Sequence, residues 1–314
     1  MSPQIRSTVA LGLLSLVATG CATVPRPGAN MTSEPATAAT LGDIVADTRT
    51  LVRPSNAERL EALKQLLQKR GVTFSLQSFP NSARQRDPRD QGQNVLLEPM
   101  GGDGPQIIVG AHLDAVALTG GGHSHGMVDN GAGVVVLTRV AEALRARRLR
   151  HRIQFVFFDM EESGLLGSAF FAKSLDRTTV AAMVNVDIAG YGDTIMSGPT
   201  TGAGTAPMHQ ALARVCAARN YNCIRLPAFP ASDDRSFQAA GIPAISLATL
   251  PSVEAHQVWL LLNGGKESGL AGGFAPAILR TIHTSADTAD KLTPEGMTLT
   301  YNAVLDLLLE LDTR

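Results

Sequence analysis

Five side chains of metal-ligand type, His112, Asp129, Glu162, Asp187 and His283, follow one another along the chain. Each stands where an apolar run ends or a loop begins. Together with Asp114 and Glu161 they describe a site for two divalent cations and a general base. Imidazole nitrogen and carboxylate oxygen without thiolate suit a hydrolytic zinc pair, whereas structural zinc usually takes cysteines. Two such ions side by side activate water and stabilise the oxyanion formed when an amide is hydrolysed.

Each residue has an ordinary reading too. A lone His112 would be a satisfied core histidine, but Asp114 lies two positions on. In extended chain those two side chains face the same side, so the carboxylate can fix the imidazole tautomer. Asp129-Asn130-Gly131 would serve as a simple turn. Glu161 and Glu162 on a surface helix would merely be solvated. Here they close the run Phe155-Val156-Phe157-Phe158, which holds them near the end of a strand. Of two adjacent carboxylates, one can bind metal and stay ionised while the other moves a proton.

Three blocks carry a more specific signal. They are Ala111-His112-Leu113-Asp114, Gly126 through Gly133 around Asp129, and Phe155 through Glu162. With Asn185-Val186-Asp187 and His283 downstream, the chain from about Gln93 onward resembles the bacterial leucyl-type zinc aminopeptidases, the co-catalytic di-zinc exopeptidases of peptidase family M28. The resemblance implies two zinc ions per chain. Asp129 would bridge them, with His112 and Asp187 on one ion and Glu162 and His283 on the other. Glu161 would be the general base and Asp114 the partner that orients His112. Peptides would be the substrates, losing N-terminal residues. A glutaminyl cyclase using a single zinc on the same fold is the alternative. A binding lipoprotein without catalysis is a more distant one, since every ligand and the base are present.

Three positions depart from the family pattern. The loop 120–126 is glycine-rich and carries His123 and His125, which read as exposed histidines without a role. Ile282 stands where some members have a tyrosine that donates to the oxyanion. Asp234, in Ser232-Asp233-Asp234, stands where histidine is frequent; that block reads as a pocket loop or as a surface turn.

The elements needed to position these residues can be read from hydrophobic periodicity. Ser55 and Glu58 form a capping signal, and Leu60, Leu63, Leu66 and Leu67 give an apolar stripe at helical spacing, closed by Gly71. Val72, Phe74 and Leu76 alternate as a half-buried strand, followed by a polar loop over 81–93. Short apolar runs at 95–97, 107–109, 153–158, 181–186 and 244–247 read as buried strands. Helices fit at 131–147, 165–175, 207–218 and 301–311. This alternation predicts an α/β fold, one domain over 41–314, with a mostly parallel or mixed central sheet flanked by helices on both faces. Sites in such folds lie beyond the carboxyl ends of the strands. The stretch 251–277 reads as a long glycine-containing loop that could wall the pocket.

At 314 residues, 44% hydrophobic and 18% charged, the chain has ample core material. A formal net charge of -1 argues against nucleic acid as a partner. The first 21 residues read as a lipoprotein-type signal: Arg6, an apolar stretch over 9–18, then Ala18-Thr19-Gly20-Cys21. Lipidation of Cys21 would be the one membrane attachment, on an outer-membrane lipoprotein facing the periplasm. Ordinary cleavage and a retained anchor remain alternatives, because leucine is more usual at position 18. The Pro-, Ala- and Thr-rich stretch 22–40 has a tether composition, with order expected near Leu41. In an oxidising compartment Cys216 and Cys223 favour a local disulfide over two buried thiols.

Overall fold

The fold is described by a computed structural model covering residues 34–265 and 275–313. The expected signal segment, Cys21 and most of the tether fall outside these residues, as do Gly272 and Gly273. At the centre, β4 (Gly104–His112) runs parallel to β5 (His151–Phe158) on one side and to β6 (Val180–Val186) on the other. β6 in turn pairs in parallel with β9 (Ala244–Leu250). These four strands are almost continuously apolar because both of their faces are covered.

The margins are antiparallel, so the sheet is mixed. β1 (Phe74–Pro80) pairs with β2 (Gln91–Leu97), which pairs with β5. On the far side β7 (Thr194–Gly198) runs antiparallel to β9 and parallel to β8 (Asn222–Arg225). The order is β1-β2-β5-β4-β6-β9-β7-β8, with the short β3 (Met100–Gly101) against β5. Side chains alternate along each strand. Ile107, Val109, Phe155 and Phe157 enter one core with α3 (Asn56–Lys69), α4 (Ala132–Arg145) and α9 (Pro294–Asp312). Ile108, Val156 and Phe158 enter a second core with Phe171 of α5 (Leu166–Ser174) and Phe237 of α7 (Asp234–Ala239). Helices thus cover both faces, as expected.

Several boundaries differ from the periodicity reading. Order begins before Leu41: Ala36 exchanges two hydrogen bonds with the Asn302 side chain, and α1 spans Ala38–Leu41. Packing against α9 holds this segment despite its tether-like composition. Helix α2 (Ile44–Arg49), capped by Asp43, was not anticipated. α9 starts at Pro294 because the Thr293 side chain accepts from Gly296 N–H. Within the expected loop 251–277, residues Ser252–Asn263 form helix α8, opened by Pro251. A disulfide joins Cys216, in α6 (Ala206–Arg219), to Cys223 in β8. Among the described residues no helix is long and apolar enough to cross a membrane.

Candidate metal centre

All the candidate residues converge beyond the carboxyl ends of β4, β5 and β6. His112 is the last residue of β4, Glu161 and Glu162 follow β5, and Asp187 follows β6. Asp129 sits in the turn Met127–Gly131 that leads into α4, with non-helical backbone at Asp129 and Asn130. Gly126 opens that turn at φ +54, where an added Cβ would lie 2.8 Å from the Asp129 carbonyl. His283 comes from the other end of the chain, in the segment between α8 and α9, with φ +58.

Two triads of ligand-type atoms result. In one, His112, Asp129 and Asp187 have their atoms within 4.8 Å of one another; in the other, Asp129, Glu162 and His283 do. His112 Nε2 lies 2.9 Å from Asp129 Oδ1 and 3.5 Å from Asp187 Oδ1. His283 Nε2 lies 3.2 Å from both Asp129 Oδ2 and Glu162 Oε2. Asp129 therefore turns one oxygen toward each triad. Glu162 Oε1 and Asp187 Oδ1 are buried without a hydrogen-bond partner among the described residues. Buried lone pairs in a nitrogen-and-carboxylate set are satisfied by metal coordination, so the donors fit a pair of divalent ions.

The electrostatics are those of a crowded acidic site. Burial pushes Glu161 well above the ordinary carboxylate range, with Asp233, Asp187 and Glu162 adding to the effect against the pull of His112. Burial and Asp129 raise Glu162 to about 8. Burial would lower His112, but Asp114, Asp129 and Asp187 outweigh it and hold it well above the usual imidazole value. A hydrogen bond to Asp129 lifts His283 to about 9. Burial would raise Asp129 itself; the two imidazoles overcome it and keep the group far below the carboxylate norm.

Asp114 lies beside His112 and also holds the turn after β5. His112 Nδ1 faces the Asp114 carbonyl at 3.2 Å and its carboxylate at 3.5 Å. That carboxylate accepts the backbone N–H groups of Glu161 (3.0 Å) and Glu162 (3.1 Å), which ties the two glutamates into one turn. His123 and His125 belong to neither triad. Ser232-Asp233-Asp234 is a buried segment at the start of α7 rather than a surface turn. Asp234 accepts from Ser246 and Gln238, whereas both Asp233 carboxylate oxygens are buried without a hydrogen-bond partner among the described residues. Burial raises each aspartate to about 7.

Two supporting residues were not singled out from the sequence. Arg59, on α3, is buried and donates to the carbonyls of Leu51, Leu113, His125 and Gly126 behind the site. Nothing in the pattern of its amphipathic helix marks it. Asp287 accepts from the backbone N–H groups of Val128 and Asp129. Its position four residues after His283 was the one available hint.

A cavity of about 420 Å³ opens beside the triads. Asp129, Glu161, Glu162, Asp187 and His283 line its polar end. Leu250, Val258, Leu261, Leu262, Ile278 and Ile282 make most of its wall apolar. Helix α8 thus supplies the wall expected of the segment 251–277.

The profile of peptidase family M28 matches residues 94–308. Leucine aminopeptidase 2 of Trichophyton rubrum is 28% identical over 230 residues, covering 69% of this chain and 44% of that protein. The chain thus spans under half the length of this relative. Among solved structures, a zinc aminopeptidase from Bacillus subtilis superposes with a TM-score of 0.57 at 20% identity, over 71% of this chain and 50% of that one. Porphyromonas gingivalis glutaminyl cyclase gives a TM-score of 0.67 at 18% identity, over 88% of this chain and 99% of that one.

Proposed function

Since the chain belongs to peptidase family M28, we propose that it is a zinc aminopeptidase that hydrolyses N-terminal residues with apolar side chains. The observation that carries this reading is the pair of triads sharing Asp129, with Glu161 lining the same cavity. His112, Asp129 and Asp187 would hold one zinc ion, and Asp129, Glu162 and His283 the other. When bound, such a pair polarises the scissile carbonyl and lowers the pKa of water. Glu161 takes the proton from the attacking water and returns it to the departing amine. Asp114 keeps Glu161 and Glu162 in fixed register through their backbone N–H groups. The apolar wall receives the substrate side chain and excludes water. The carboxylates at the polar end favour a cationic amino terminus over an anionic carboxyl terminus there.

The test is turnover of leucine p-nitroanilide and of its N-acetyl counterpart. The expected result is hydrolysis of the first alone, lost on chelation and restored by zinc. Preference for the acetylated substrate overturns the assignment.

A second reading, glutaminyl cyclase, draws on the near-complete overlap with the Porphyromonas gingivalis enzyme. The Asp129-Asn130-Gly131-Ala132-Gly133 block and the two triads favour the peptidase. A peptide beginning with glutamine separates the two, since a peptidase releases glutamine while a cyclase releases ammonia and leaves a pyroglutamyl end. Two zinc ions per chain would also count against the cyclase. The export reading remains a proposal resting on the sequence before Cys21: Cys21→Ser should release the protein from membrane fractions, and unchanged partitioning refutes lipidation.

A further inference from the structure

The loop 81–90, between β1 and β2, carries three arginines with different fates. Arg84 pairs with Asp90 at 3.0 Å. Arg89 pairs with Asp87 and with both oxygens of Asp159 at 2.9 Å. Arg86 makes neither a side-chain hydrogen bond nor an ion pair among the described residues, and its side chain is exposed. Yet it is not a remote surface group. Arg86 lines the 420 Å³ cavity together with Glu161 and Glu162, and also the adjoining cleft formed by Glu162 and Ser163. Its Nη1 comes within 3.8 Å of where a Cβ on Gly164 would lie, so it arches over the turn that follows Glu162.

The loop is braced to the site it overlooks. Asp159, which receives Arg89, stands two residues before Glu161. Asn81 donates to the carbonyls of Asp87 and Arg89 and accepts from Ala83 N–H. Arg86 N–H is itself bonded to the Ala83 carbonyl at 2.8 Å. A free guanidinium on a braced loop is a ready partner for a carboxylate, which it can engage through two parallel hydrogen bonds. The cavity is of small-ligand size. Its lining combines the acidic cluster, an apolar wall and the exposed cationic Arg86.

We propose that Arg86 is the counter-ion for the free C-terminal carboxylate of the substrate, which makes short, zwitterionic peptides the preferred substrates. The inference rests on the aminopeptidase reading, and it names a specificity residue rather than a catalytic one. A dipeptide would place its amine at the carboxylate cluster, its first side chain against the apolar wall and its carboxylate at Arg86. A long or amidated peptide would forgo the last contact.

The test compares leucyl-glycine, leucyl-glycine amide and leucine p-nitroanilide on the zinc-loaded full chain. The wild type should prefer the free acid to the amide. Arg86→Gln should lower kcat/KM for the acid by about tenfold, chiefly through KM, the usual worth of a charge-assisted hydrogen bond. The amide and the anilide should change less than about twofold, and Arg86→Lys should recover part of the acid preference. Equal loss on all three substrates, or no loss on the acid, overturns the proposal. Calorimetric binding of the acid and the amide to the Glu161→Gln variant gives the same ratio without turnover. Absent hydrolysis therefore counts against the aminopeptidase reading alone, while an absent acid preference counts against the role of Arg86.

Discussion

The Asp287 carboxylate accepts the backbone N–H of Asp129 at 3.1 Å and that of Val128 at 2.7 Å. One buried side chain thereby ties the segment bearing His283 to the turn bearing Asp129, the residue shared by both triads. Burial raises Asp287 to about 6, against the pull of these N–H donors. Asp287→Asn keeps the shape but turns one acceptor into a donor facing an N–H. It should weaken zinc affinity or kcat/KM by about 10–100-fold, the usual cost of losing an outer-shell partner. Zinc titration and steady-state kinetics check this. Unchanged affinity and rate would mean that the turn holds its form without Asp287.

Arg59 shows how support for the site is hidden behind it. Its guanidinium is buried and donates to four carbonyls, two of them on either side of the Gly126 peptide that opens the Asp129 turn. Arg59→Met fills similar space but leaves those carbonyls without a donor. The expected cost is about 3–5 kcal/mol, since four buried carbonyls lose their donor at roughly 1 kcal/mol each. For a chain of this size that lowers Tm by roughly 5–8 °C. Arg59→Lys should fall between, since an ammonium cannot reach all four acceptors. A melt within about 2 °C of wild type for Arg59→Met would show that the network is dispensable.

What the sequence revealed and what it concealed follow from the range of the interactions. His112, Glu161, Glu162 and Asp187 were legible because each ends an apolar run, so strand period and ligand chemistry coincide within a few residues. Asp129 and His283 sit in irregular backbone and were legible only through the blocks around them. Asp287 and Arg59 act on backbone groups far along the chain, and no local pattern marks such a contact. The same holds for the sheet margins: β7 and β8 are short, and the pairing of β7 with β9 and with β8 is decided by packing. Helix α8 lay hidden in a glycine-containing stretch, although Pro251 and the spacing of Ala255, Val258 and Trp259 are compatible with a helix opening there. Arg86 read as one more residue of a polar loop, because its distinction lies in what its neighbours Arg84 and Arg89 are paired with.

Metal binding should depend on pH with a definite sign. A hydrogen bond to Asp129 holds the His283 proton up to about 9, and burial holds that of Glu162 up to about 8. Zinc takes both groups deprotonated, so proton and metal compete. Affinity for zinc in the metal-stripped protein should therefore fall as pH is lowered from about 9. One displaced proton gives about tenfold per pH unit and two give about 100-fold. Calorimetry at several pH values, in buffers of different ionisation enthalpy, reads both the affinity and the protons released. A flat affinity between about pH 6 and pH 8 would contradict the ligand assignment of His283 and Glu162.

The neighbours Glu161 and Glu162 should fail differently when altered. Both follow β5, and both have their backbone N–H groups held by Asp114. Only Glu162 reaches His283, at 3.2 Å, and belongs to a triad. Glu161→Gln keeps size and the backbone contacts but cannot carry a proton. It should retain two zinc ions while kcat falls by about 10²–10⁴, the usual contribution of a general base. Glu162→Gln exchanges an anionic ligand for a neutral one and should lose one zinc ion first, with activity restored in part by excess metal. Metal analysis after gel filtration, paired with kinetics, separates the two. Near-full activity in Glu161→Gln refutes the division of roles, as does an emptied site there beside a full one in Glu162→Gln.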